Sequence, residues 1–313
     1  MEHKRADTDW FRDAKWGVFT HYLTGAETSV EDWNKRVNSF DVNALADQLS
    51  SVGTAYYFIT IGQNSGHYCS PNSTYDKYVG IQPSKCSERD LIKDIYKALT
   101  PKGIKLLVYL PSGAPAADLT AAERLGWKWG YNGNWPAWGT GRTGERLAEF
   151  QIKWEEIMSE WSVRWGNDVS GWWIDGCYFA DEMYRHPEPP NFKSFAEALK
   201  AGNPDSIVAF NPGVLVPVIC HTEYEDYAAG EISDAFPVCP GRRVNGAQYQ
   251  ILSYLGNWWG GGEPRFPDEF VVGYTKHVNS KDGVVTWDVP ISESGLIPEA
   301  FIDQLRVLGD ATK

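Results

Sequence analysis

Short apolar runs that end in glycine, proline or a polar residue alternate along this chain with segments of helical period. That alternation constrains the fold more than any other feature, because repeated strand-helix units need a parallel sheet with helices packed on its outside. "WGVFTHY" (16 to 22) reads as a first strand, and "FDVNALADQLSSVG" after it sets apolar residues at 42, 45, 46 and 49, one face of a helix. The unit recurs through "AYYFITIG" (55 to 62), "IKLLVYLPSG" (104 to 113), "GWWIDG" (171 to 176), "SIVAFNPG" (206 to 213) and "DGVVTWDVP" (282 to 290), with amphipathic helices between. Residues 214 to 281 have room for two more units, and "EISDAF" and "VNGAQYQILSY" are the best candidates for them. No glycine-rich dinucleotide fingerprint follows the first strand, so the expectation is an α/β fold: a TIM-like (β/α)8 barrel forming a single domain over residues 1–313.

In such a barrel the chemistry sits where the strands end. Those ends carry His21, then Gln63, Asn64 and His67, then Asp175, Asn211, Trp287 and Asp288, while the strand interiors stay apolar. Hydrogen-bonding groups gathered at one rim suit a polyhydroxylated ligand, each of whose hydroxyls needs a partner once desolvated. Asp175 is the one ionisable residue in an apolar strand; it reads equally as a reagent or as a strand-end carboxylate binding nearby backbone N–H groups. Glycoside cleavage needs a second carboxyl group. "HTEYEDYAAGE" (221 to 231) offers Glu223, Glu225, Asp226 and Glu231, in a stretch that also reads as a solvated acidic loop. Two tryptophan-rich segments, 126 to 141 and 255 to 266, offer flat faces for stacking on sugars or for packing on one another.

A net charge of −12 argues against a nucleic-acid partner. No uninterrupted apolar run is long enough for a membrane span, and the charged start lacks a secretory leader, which points to the cytoplasm, or to the periplasm or outside if a leader was removed. Five cysteines without a CxxC pair are expected to be buried free thiols. Neither HExxH nor GxSxG occurs, so neither a metal site nor acyl transfer is expected, and no cofactor is called for.

"WFRDAKWGVFTHYL" (10 to 23) resembles the opening "WFrdaKfGiFiHWG" of the α-L-fucosidases, retaining glycoside hydrolases, and "GWWIDG" resembles their "lWfDG". "EDYAAGE" (225 to 231), "GNWWGG" and the final "DGVVTWDVPISESGLIPEAFIDQLRVLG" are similar to further segments of that family in the same order. The resemblance implies an exo-acting enzyme on a glycoside or oligosaccharide, with Asp175 as nucleophile and Glu231 as acid/base, Glu223 and Glu225 being the other candidates for that second role. It implies that His21, Gln63, Asn64, His67 and Asn211 read hydroxyls, that Asp32, Trp33 and Trp259 are walls, and that Trp173 beside Asp175 contacts substrate. Gln63 and Asn64 stand where the family has two histidines, which leaves open another sugar, such as an arabinofuranoside or α-L-galactoside, or a carbohydrate-binding barrel without turnover.

Overall fold

The computed structural model describes residues 4–128 and 145–313. Its elements are α1 (Asp9–Ala14), β1 (Trp16–Thr20), α2 (Val30–Ser39), α3 (Val42–Ser51), β2 (Tyr56–Thr60), α4 (Ser73–Val79), α5 (Leu91–Leu99), β3 (Lys105–Pro111), α6 (Leu119–Leu125) and α7 (Ala148–Trp165). There follow β4 (Gly171–Asp175), α8 (Ala180–Met183), α9 (Phe192–Leu199), β5 (Ile207–Phe210), the two-residue strands β6 (Arg243–Val244) and β7 (Ala247–Gln248), β8 (Gln250–Tyr254), α10 (Asp268–Asn279), β9 (Val284–Val289) and α11 (Glu299–Thr312).

Seven parallel strands form one sheet in the order β5-β4-β3-β2-β1-β9-β8. The gap between β5 and β8 is filled by residues 226–232. Asp226 N–H donates to the Val208 carbonyl of β5 at 2.8 Å, while Ala228 and Ile232 N–H donate to Gln248 and Leu252 on the β8 side at 2.9 and 3.0 Å. The ring of backbone bonds is thereby continuous, and the TIM-like barrel expected from the strand-helix alternation is present. "EISDAF" is not its missing element: the filling segment begins earlier and shares only Glu231 and Ile232 with it. Segment 226–232 escapes sequence recognition because it is irregular. Gly230 sits at φ +63°, and a Cβ there would lie 1.9 Å from the Gln250 carbonyl, so only glycine lets the chain pass this close to β8.

The helical layer explains many of the tryptophans among the described residues. On α7, Trp154, Ile157, Met158, Trp161 and Trp165 recur at helical spacing and are buried against the sheet, with Trp161 stacked on Trp165 and Trp165 on Trp172. Trp33, Trp154, Trp161, Trp172 and Trp287 are all core residues. Residues 129–141 of the first tryptophan-rich segment lie outside the described residues. In the second, Trp258 is 64% exposed and Trp259 half-buried, so that segment does offer a ring to solvent. The five cysteines are free, four of them buried and Cys220 partly so. No helix among the described residues is long and apolar enough to cross a membrane.

Candidate active site

Successive side chains of a strand point to opposite faces, and the inward set here is visible as a second apolar cluster, separate from the helical layer. It contains Phe19, Phe58, Leu107, Tyr109, Trp173, Ala209, Ala229, Leu252 and Val284. Two residues on from Phe19, Trp173, Ala209 and Ala229 stand His21, Asp175, Asn211 and Glu231, and four on from Val284 stands Asp288. Strand parity therefore turns His21, Asp175, Asn211 and Asp288 toward the barrel axis at its C-terminal end, above a floor of stacked rings, and Glu231 meets them from the irregular 226–232 segment. Trp173 belongs to that floor: it lies 5.4 Å from Tyr109, nearly parallel to it, with its Nε1 donating to the Ala229 carbonyl at 3.0 Å.

Asp175 is held by four donors. Its Oδ1 accepts from Gly176 N–H at 2.8 Å, Tyr178 O–H at 2.9 Å and Asn211 Nδ2 at 2.8 Å, and its Oδ2 accepts from Tyr109 O–H at 2.6 Å. Gly176, at φ +80°, lets the chain turn so that its N–H meets the preceding carboxylate. The surplus of bonds on Oδ1 leaves Oδ2 the oxygen with an uncommitted lone pair. Burial, then the Asp175 charge, push the Tyr109 phenol well above its ordinary range, so it stays a neutral donor. Gln63 Nε2 donates to that same phenol oxygen at 2.7 Å and so reaches Asp175 through one intermediary.

Asn211 joins the two carboxylates. Its Oδ1 accepts from Gly213 N–H at 3.0 Å, which orients the amide, and its Nδ2 donates to Glu231 Oε2 at 2.6 Å as well as to Asp175. With bonds of 2.8 and 2.6 Å laid end to end, the two carboxylate oxygens are at most about 5.4 Å apart. Burial first, and the Asp175 charge second, raise the Glu231 carboxyl to about 7, against the opposing pull of Asn211 and His21. Glu231 is thus a protonated acid at mildly acidic pH, beside a fourfold-bonded Asp175. His21 Nδ1 lies 2.7 Å from Asp288 Oδ1, and its ring packs 5.9 Å from Trp259 and 5.8 Å from Tyr109.

The other candidates lie elsewhere. Glu223 is exposed. Glu225 is fully buried and accepts from the His221 and Thr222 N–H groups at 2.6 and 3.2 Å, tying down its own loop, and Asp226 pairs with Lys200 at 2.7 Å. Asp32 is exposed at the start of α2, where it accepts from the Ser29 hydroxyl at 2.7 Å, a helix-terminus role. Trp33 is core, its Nε1 donating to the Tyr68 carbonyl at 3.0 Å. His67 is buried 6.0 Å from the Trp33 ring, and burial with the nearby Lys85 charge pushes its imidazole down to about 4, so it is neutral. Asn64 is half-buried and its carbonyl accepts from Ala117 N–H. Tyr109 and Tyr178, both bonded to Asp175, carry no mark in the sequence that separates them from core aromatics. Among the described residues no group of three or more His, Cys, Asp or Glu is arranged to hold a metal ion.

Glu225 supplies a stability prediction. Burial raises its carboxyl to about 8, against an ordinary 4.5, so its contribution is fully present below the ordinary value and is lost as pH rises through about 8. Glu225→Gln, which imitates the protonated form, is expected to match the parent in urea unfolding at about pH 4 and to exceed it by a few kcal/mol at about pH 8.5. Parallel pH dependences of the two proteins would refute this.

No protein-family model matches the chain, and no curated protein matches it. Solved structures do. An endo-fucoidan hydrolase from glycoside hydrolase family 107 is similar with a TM-score of 0.71 and 16% identity, over 96% of this chain and 92% of that one. The fold is that of glycoside hydrolases. An α-L-fucosidase in complex with Fuca(1,6)GlcNAc has a TM-score of 0.63 at 13% identity, with 96% of each chain covered. A family 29 α-L-fucosidase from Bacteroides thetaiotaomicron, trapped as a covalent intermediate, reaches 0.61 at 16% identity, over 98% of this chain and 75% of that one. The chain spans 53% of a second family 107 endo-fucoidan hydrolase. At such identities these hydrolases share the scaffold, and the chemistry must be argued from the residues above.

Proposed function

We propose that this chain is a glycoside hydrolase that cleaves a terminal fucose or a related sugar with retention of configuration. The observation that carries the reading is the single Asn211 nitrogen donating to both Asp175 and Glu231, which keeps Asp175 Oδ1 and Glu231 Oε2 at most about 5.4 Å apart. Retaining enzymes hold their two carboxyl groups at roughly 5–5.5 Å, whereas inverting ones leave roughly 6.5–9.5 Å for a water. In the first step Asp175 Oδ2 bonds to the anomeric carbon as the glycosidic C–O bond breaks, and the Glu231 proton passes to the departing oxygen. In the second, Glu231, now ionised, takes a proton from water, whose oxygen displaces Asp175. Tyr109, Tyr178, Gly176 and Asn211 disperse the Asp175 charge and orient it, and release it again when the ester forms.

The expected result is hydrolysis of an aryl α-L-fucoside, α-L-galactoside or arabinofuranoside, with the first-formed sugar, followed by proton NMR before mutarotation, bearing the substrate's own anomeric configuration. An inverted first product, or no turnover of any of the three, would sink the reading. The likeness to an endo-fucoidan hydrolase supports a second version, cleavage within a chain. Product size separates the two: monosaccharide alone marks terminal attack, and a ladder of oligomers marks internal attack.

A further inference from the structure

Asp288 is fully buried at the end of β9, and a carboxylate in such a place is costly unless its acceptors are filled. Its Oδ1 faces His21 Nδ1 at 2.7 Å, and its Oδ2 accepts from Gly260 N–H at 2.5 Å. A backbone N–H is an obligatory donor, and a carboxylate only accepts, so His21 Nδ1 is the donor in this pair. Nothing else fixes the ring: its other neighbours are the faces of Phe19, Tyr109 and Trp259, and Nε2 has no hydrogen bond among the described residues. The same carboxylate holds the turn that carries Trp259, because Gly260 packs so closely on His21 that a Cβ would lie 2.9 Å from its Cβ.

We propose that Asp288 is a positioning residue, a double acceptor that keeps the His21 proton on Nδ1, presents Nε2 to a hydroxyl of the bound sugar and locks the Trp259 turn against the same ring. The inference rests on the hydrolase reading only for the identity of the ligand. An asparagine of the same shape cannot serve. Its oxygen would be taken by Gly260 N–H and its Nδ2 would face His21 Nδ1, forcing the imidazole proton onto Nε2 and turning that nitrogen from acceptor to donor. The charged and titratable groups near the ring are Asp288 on β9, Glu231 on the 226–232 segment and Tyr109 on β3. Burial pushes the Asp288 carboxyl up while His21 and the Gly260 N–H hold it down.

The test uses the full chain labelled with nitrogen-15 in histidine. Wild type is expected to show His21 as the Nδ1–H tautomer, and Asp288→Asn to move the proton to Nε2. Asp288→Asn and His21→Gln are each expected to lower kcat/KM by about 100-fold, and the double variant by no more than the larger single loss, since both remove one unit. An Nε2–H tautomer in wild type overturns the proposal, as do penalties that multiply in the double variant. Should Asp288→Asn not fold, the wild-type tautomer decides alone. Because NMR reads the tautomer without turnover, a chain that hydrolyses no glycoside would defeat the hydrolase reading and leave this result standing.

Discussion

Asp175→Ala is expected to lower kcat/KM on an activated aryl glycoside by at least about 10⁴-fold, some 5.5 kcal/mol of transition-state stabilisation. No neighbour can substitute. Asn211, Tyr109 and Tyr178 are donors toward that position, and Glu231 is the protonated partner on the far side of Asn211. The vacated space keeps its four donors aimed inward, so a small anion should bind there: azide is expected to restore turnover and to yield a glycosyl azide of inverted configuration. Activity within tenfold of the parent, or azide rescue with retained configuration, would remove Asp175 from the role of nucleophile.

Glu231→Gln is expected to act unequally on substrates. A sugar leaving group needs its oxygen protonated as the bond breaks and should lose about 10³-fold, whereas an acidic phenol leaves unaided and should lose far less in the first step. The alkaline limb of the activity profile, which in the parent should fall as pH rises through about 7 and Glu231 loses its proton, should vanish as well. With Glu231→Ala, azide attacks the glycosyl-enzyme without needing a base and should give the azide of retained configuration, the opposite of the Asp175 variant. Equal losses for both leaving groups, with an unchanged pH profile, would shift the acid role to another residue.

What the sequence disclosed followed from periodicity. A lone ionisable residue in an apolar strand marked Asp175, and the ends of the apolar runs placed His21, Asn211 and Asp288 at the rim. Glu231 was one of four acidic candidates in the 221–231 cluster and was singled out only through a resemblance, because residues 226–232 bend at Gly230 and lack the two-residue alternation that would announce a strand. Choosing it over Glu225 required space: Glu225 is turned onto its own loop, while Glu231 shares a donor with Asp175. Trp33 lies in the apolar core and His67 is buried beside its ring, and a buried aromatic has the same local pattern in the sequence as a ligand-facing one. The contacts between His21 and Asp288, 267 positions apart, and between Tyr109 and Asp175, 66 apart, depend on closure of the ring and leave no trace in a short window.

The Asn211 amide also makes the two oxygens of Glu231 unequal. Oε2 accepts from the Asn211 N–H, a bond that a carbonyl-type oxygen makes better than a hydroxyl, so the proton of the neutral acid favours Oε1. In the proposed double displacement Oε1 then presents the transferable proton, and the scissile oxygen approaches from that side. Under that mechanism the orientation of the leaving group is set by a side chain that never exchanges a proton with it.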